Sequence, residues 1–131
     1  TANNNSASIA RIAHAVIAGE LAALKGDLPQ AIKHLENAVV NEDKLVYTEP
    51  AAWHIPTRQN LGAVLMKAEK YEHAERIYKE DLVVLRQNGW SLMGLYNSYM
   101  AQGKTSEAKK IKKEFNKAWE EADITITNSV L

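Results

Sequence analysis

The side chains able to do chemistry are spread along this chain rather than gathered. His14, His34, His54 and His73 stand about twenty residues apart, and no two of them are four apart on one helix. A helical metal site needs such a pair, usually with a carboxylate motif behind it, so no metal is expected even if His14 and His34 meet across a hairpin. There is no glycine-rich phosphate loop, no Gly-x-Ser-x-Gly elbow and no His-Glu-x-x-His. Cysteine is absent, which excludes a thiol nucleophile, a disulfide framework and zinc–thiolate chemistry. Its absence fits a cytoplasmic or a periplasmic protein equally. The expectation is a protein with no cofactor that is not an enzyme. One local concentration stands out: Tyr47, Glu49, Trp53, His54 and Arg58 mix aromatic and charged groups able to contact a ligand. With Trp90, the residues Tyr47, Trp53 and Arg58 could frame an organic anion.

The bulk composition narrows the partners. Lysine plus arginine and aspartate plus glutamate both number 16 in 131 residues. A neutral chain lacks the long-range attraction that nucleic acid or an anionic membrane surface exploits. Lys104, Lys109, Lys110, Lys112, Lys113 and Lys117 alternate with Glu107, Glu114, Glu120 and Glu121, a pattern of pairing on a helix surface rather than a nucleic-acid stripe. No unbroken run of about 18 apolar residues occurs, so no membrane span is expected. At 46% hydrophobic residues the chain can bury the core of one domain. It starts at Thr1 without methionine and is expected to be a piece of a longer protein or a processed one.

Periodicity then supplies the elements. Glycine and proline fall between apolar-periodic stretches, which is helical punctuation. Six helices are predicted: about Ser8–Lys25, Pro29–Glu42, Pro56–Ala68, Tyr71–Leu85, Trp90–Ala101 and Thr105–Ala122. Asp27 and Thr105 are the expected N-caps. In the first helix Ile9, Ile12, Ala13, Val16, Ile17 and Leu21 have core spacing. Residues 1–7 read as a polar leader, 8–122 as a single domain, and 123–131 as a tail whose Ile124-Thr125-Ile126-Thr127 alternates like a strand.

The interhelix turns are similar to one another. Gly26-Asp27-Leu28-Pro29-Gln30-Ala31, Glu69-Lys70-Tyr71-Glu72-His73-Ala74 and Gly103-Lys104-Thr105-Ser106-Glu107-Ala108 each end in an alanine that permits close helix crossing. Ala74 and Ala108 are 34 residues apart, and Ala31 and Ala74 are 43 apart. The first spacing is the tetratricopeptide period. In the same register lie Ala18-Gly19, Leu61-Gly62 and Leu95-Tyr96, then Ala22, Leu65 and Tyr99. Over residues 9–122 the chain resembles tetratricopeptide repeats, although the early tryptophan is replaced by Ala15, Arg58 and Leu92 and the terminal prolines are missing. The stretch Tyr47-Thr48-Glu49-Pro50-Ala51-Ala52-Trp53-His54-Ile55-Pro56-Thr57-Arg58 also resembles a Tyr-x-Glu-Pro-x-x-Trp-x-x-Pro-x-Arg segment that joins repeats in a group of bacterial tetratricopeptide proteins. The resemblance implies an all-α fold of three helix–turn–helix repeats (about 8–43, 55–86 and 89–122). They would stack as a short right-handed solenoid with nine extra residues near Val46–His54. It also implies that the chain is the C-terminal part of a longer array.

Such repeats line a concave groove with the first helix of each pair. The groove candidates in this register are Val16, Glu20 and Ala23, then Gln59, Ala63, Met66 and Lys67, then Trp90, Met93, Asn97 and Met100. Thioether and indole groups there suit adaptable peptide binding. A chaperone-type carboxylate clamp is excluded, because only Asn60 matches it and its other positions hold Val16, Glu20, Trp90 and Gly94. Asp81 stands where the repeat buries an alanine, and needs Arg58 or the backbone N–H groups of 88–90 as partner. Arg58 is expected to pair with Glu49 or Asp81. The expected function is a scaffold holding a protein or peptide segment, including a neighbouring repeat of the same chain. The alternatives are an organic-anion pocket at residues 46–58 and a structural module that forms a homodimer.

Overall fold

The computed structural model describes residues 2–48, 56–86 and 88–120, the side chains of 2–5 and 46–48 excepted, and every regular element among them is a helix. The order is α1 (Ala2–Leu24), α2 (Leu28–Thr48), α3 (Thr57–Lys67), α4 (Tyr71–Val84), α5 (Gly89–Ala101) and α6 (Thr105–Ala118). The all-α expectation is met. The tail 121–131 lies outside the described residues.

Three turns share one geometry. At Gly26, Glu69 and Gly103 the backbone enters the left-handed region, with φ of 83°, 60° and 75°. The following amide reaches back to the helix end: Asp27 N–H to Ala22 O, Lys70 N–H to Leu65 O and Lys104 N–H to Tyr99 O, each at 2.9 Å. A second bond from the left-handed residue itself completes a Schellman cap that satisfies the last carbonyls. Glycine takes this conformation freely; Glu69 takes it against the steric preference of an L side chain. Asp27 additionally caps α2 by accepting from Gln30 N–H at 3.3 Å. Thr105 is not the cap expected of it, because it is the first residue of α6 and Lys104 holds the cap position without a side-chain bond.

Two helices run longer than their periodicity suggested. α1 starts at Ala2, ahead of Ser8, since nothing before Gly19 breaks a helix. α2 continues past Glu42 to Thr48, so the first of the supposed extra residues extend the helix. Its buried stripe runs on through Ala38, Glu42 and Leu45, and the next breaker is Pro50, which disfavours helix at the residue before it.

Each helix packs on its neighbours in the chain, and α1 touches α3 as α3 touches α5. Among the described residues the backbones of α2, α4 and α6 stay apart, and side chains span the gap: His73 of α4 lies 3.8 Å from Glu36 of α2. The core between them holds Leu35, Leu61, Leu65, Ile77, Tyr78 and Leu95, with a second cluster of Leu92, Met93 and Phe115 toward α6. Tyr78 is the largest fully buried side chain. Its ring lies against Gly62 of α3 and Gly94 of α5, and a Cβ on either glycine would run into it.

In α1 the core expectation holds for Ile12, which is fully buried, but Ile17 and Leu21 are 59% and 51% exposed. Among the described residues α1 packs on α2 and α3, and none covers its other side. The window Ser6–Leu24, with mean hydropathy 1.4, is also long and apolar enough to cross a membrane by length and composition, and 17% of it is buried. This departs from the expectation of no such segment, because an average over the window tolerates Arg11 and Glu20 where an unbroken run does not.

Gly94→Ala is expected to lower stability by about 1–3 kcal/mol, since forcing a methyl against a buried ring outweighs the roughly 0.5–1 kcal/mol of helix preference it adds. A urea midpoint that stays level or rises would show that Tyr78 can move aside. Glu69→Gly should raise the same midpoint, the gain in stability being up to about 1–2 kcal/mol, by removing the left-handed strain.

Candidate functional site

The odd-numbered helices place the groove candidates in three rows spaced by 43 and then 34 residues. The row Val16, Gln59, Met93 is the most buried: Val16 is half-buried, and Gln59 and Met93, which meet Asp81 of α4 and the Phe115 cluster, are 8% and 4% exposed. Gln59 and Met93 are therefore wall rather than contact surface. The row Glu20, Ala63, Asn97 is accessible, with Glu20 exposed and the other two half-buried. The third row, Ala23, Met66, Met100, opens toward α5, where Met100 is 47% exposed. Trp90 leaves the groove. Its ring meets Trp119 edge-on at 5.8 Å, Trp119 stacks on Phe115 at 6.1 Å, and the Gly89 backbone lies against the Trp119 indole. The α5–α6 angle turns this tryptophan onto the last helix, which the repeat register could not show.

Asp81 is buried, 1% exposed, and its carboxylate takes hydrogen bonds from side chains of α3, α5 and the turn between α4 and α5. Its Oδ2 accepts from Ser91 Oγ at 2.5 Å, Asn88 Nδ2 at 3.3 Å and Gln59 Nε2 at 3.4 Å. Asn88 in turn caps α5, its Oδ1 accepting from Trp90 N–H at 3.0 Å. A matching pair lies one helix pair earlier, where Thr57 donates to buried Glu42 at 2.8 Å. Both are a hydroxyl at the start of an odd helix held by a carboxylate from the helix before it.

Arg58 is also spoken for. Its guanidinium grips both oxygens of Asp43 at 2.8 and 2.7 Å, and its Nε donates to Glu80 at 3.2 Å. The hydrogen bonds to Asp43 raise its pKa above the ordinary value; burial opposes this, and the charges of Asp43 and Glu80 add to it. A guanidinium held by two carboxylates is poorly placed to receive an organic anion. Tyr47 lies in α2 with its side chain outside the description, and Glu49, Trp53 and His54 lie outside the described residues. The groove candidates reachable from solvent thus include Glu20, Ala63, Met66, Asn97 and Met100, and most of the residues expected to frame a pocket with Arg58 lie outside the described ones. Among the described residues no group of three or more His, Asp or Glu could hold a metal ion.

One charged cluster was missed in the sequence. Glu75 of α4 accepts from Lys79 Nζ at 2.7 Å, Lys104 Nζ at 2.9 Å and Gln102 Nε2 at 3.0 Å. Both lysines also sit over the ring of buried Tyr99, at 5.6 and 5.9 Å. Burial alone would raise the Glu75 carboxyl, but the three hydrogen bonds override it and hold the pKa at about 2. Only the Glu75–Lys79 pair, four apart on one helix, was legible as spacing.

Neither a protein-family model nor a curated protein nor a solved structure matches this chain.

Two measurements test these networks. The Glu75 carboxyl contributes stability above its ordinary value of 4.5 that is lost as pH falls toward 2. Acid unfolding followed by circular dichroism should therefore show a steeper loss across that window than Glu75→Gln shows. Asp81→Ala should cost about 1–3 kcal/mol in urea titrations, because it leaves the Ser91 hydroxyl buried without its acceptor; a smaller loss in Asp81→Ala/Ser91→Ala than in the single variant would confirm the coupling.

Proposed function

We propose that the chain is a tetratricopeptide-type interaction module of three stacked helical pairs, whose concave face holds an extended protein or peptide segment. The observation that carries this reading is the pattern of helix contacts. The backbones of α1, α3 and α5 approach in series while those of α2, α4 and α6 stand farther apart and meet only through side chains such as His73 and Glu36, which fits odd helices on the inner, tighter side of a curved stack. The three identical caps at Gly26, Glu69 and Gly103 support the same reading, because they repeat one helix-to-helix turn at the spacing of the sequence register.

The binding surface in this reading is the pair of accessible rows, centred on Glu20, Ala63, Met66, Asn97 and Met100. Its chemistry is mixed: one carboxylate, one amide and two thioethers. An extended peptide with apolar side chains on one edge and a basic group toward α1 would satisfy it, methionine adapting to the apolar part. Gln59 and Met93 act as the floor that sets the distance between the odd helices. The anion-pocket alternative loses its support with Arg58 committed to Asp43 and Glu80.

Peptides selected from a random library on the intact chain should bind Ala63→Arg/Met100→Glu at least tenfold more weakly, with helicity unchanged. Selected peptides that bind both proteins equally would remove the groove from consideration.

A further inference from the structure

α3 and α5 each present one face to the helix that precedes them. On α3 this face holds Thr57, Asn60 and Val64, and on α5 it holds Ser91, Gly94 and Ser98; all six are buried. The covering contacts are specific. Glu42 of α2 accepts from Thr57, Asp81 of α4 accepts from Ser91, and Tyr78 of α4 lies on Gly94.

The same spacing of 43 residues places His14, Ile17 and Leu21 of α1 at the positions of Thr57, Asn60 and Val64. Here nothing among the described residues covers them. Ile17 is 59% exposed, Leu21 51% and Leu24, one turn on, 82%, and His14 is exposed beside them. Large apolar side chains repeat at three- and four-residue intervals along this face, as on a helix seam that meets another helix. Where α3 and α5 meet a carboxylate from the covering helix, α1 carries His14 and the exposed Arg11, so this end of the face is suited to a negative charge.

We infer that this face of α1 is a docking surface for an amphipathic helix from a partner polypeptide, lying on α1 as α2 lies on α3. The docked helix covers Ile17, Leu21 and Leu24 with its apolar side and brings a carboxylate to Arg11 and His14. A second copy of this chain is the poorer occupant in charge, because the exposed charges of its last helix are mainly lysines, Lys109, Lys110, Lys113 and Lys117 against Glu107 and Glu114, and lysines would meet Arg11. This surface is separate from the groove proposed above and does not depend on it.

The probe is a labelled synthetic peptide of residues 28–48, the segment that covers the matching face of α3 and carries Glu42 and Asp43. Titrated with the full chain and read by fluorescence anisotropy, it is expected to bind saturably. Binding should weaken at least tenfold with Ile17→Lys/Leu21→Lys, and several-fold when the peptide carries Glu42→Lys. Val83→Lys/Val84→Lys, on an exposed apolar spot of α4, should leave it unchanged. Circular dichroism checks each variant, and if the double variant does not fold, Leu24→Lys serves in its place. Binding that survives these changes means that the peptide has replaced the native α2, and overturns the inference, as does no binding at millimolar peptide. Sedimentation of the chain alone supplies a further arm: self-association abolished by Ile17→Lys/Leu21→Lys would assign the face to a second copy and overturn the choice of partner. Binding to phosphatidylcholine/phosphatidylglycerol vesicles lost in the same variant would overturn it in favour of a lipid surface.

Discussion

The contact on which this structure depends is the ring of Tyr78 between two glycines. Tyr78 is the largest side chain fully removed from water among the described residues, and it fits only because Gly62 and Gly94 offer bare backbone to its ring. α4 thereby fixes how far α3 and α5 stand from it. One turn along the same helix, Asp81 takes hydrogen bonds from Gln59 of α3 and from Asn88 and Ser91 at the start of α5. The apolar wedge sets the distance and the carboxylate sets the register. A slide of either neighbouring helix would leave a buried charge short of its partners, which costs far more than the slide could recover.

The same device recurs in weaker form between α2 and α3, where Glu42 meets Thr57. Beside it Arg58 joins Asp43 of α2 to Glu80 of α4. Glu75, Lys79, Lys104 and Gln102 tie α4 to the end of α5 and the turn after it. A chain with no net charge thus spends many of its charges between neighbouring helices. The surfaces left for a partner are the less polar ones: the accessible rows of the proposed groove and the outer face of α1. The two ends of the stack differ accordingly. α6 ends in lysines and glutamates facing water, while α1 ends in isoleucine and leucine.

Much of the architecture was legible in the residues. Six apolar-periodic stretches became six helices because glycine, proline and the turn at Glu69 stop the 3.6-residue pattern where the helices stop. The spacing of Ala74 and Ala108 located matching turns, and the structure builds the same cap at each. The boundaries that were misjudged, at Ala2 and at Thr48, share a reason: polar residues do not end a helix unless they break its backbone, and no breaker stands there. Of the residues expected to line a groove, Glu20, Ala63, Met66 and Asn97 are reachable from solvent, while Gln59 and Met93 are not.

What the linear order of residues determined by itself was the local part: helix content, turn positions and the register that aligns His14, Thr57 and Ser91. These follow from backbone propensities and from spacings within a few residues, which need no knowledge of what lies across the fold. Tertiary structure alone decided the rest. That Asp43 and Glu80 hold Arg58, that Trp90 turns onto Trp119, and that Glu75 gathers two lysines are consequences of crossing angles between helices distant in the chain. Ile17 and Leu21 make the same point from the opposite side. Their spacing reads as core, but whether an apolar face is buried is settled by the presence of a neighbour, and among the described residues none covers this face of α1.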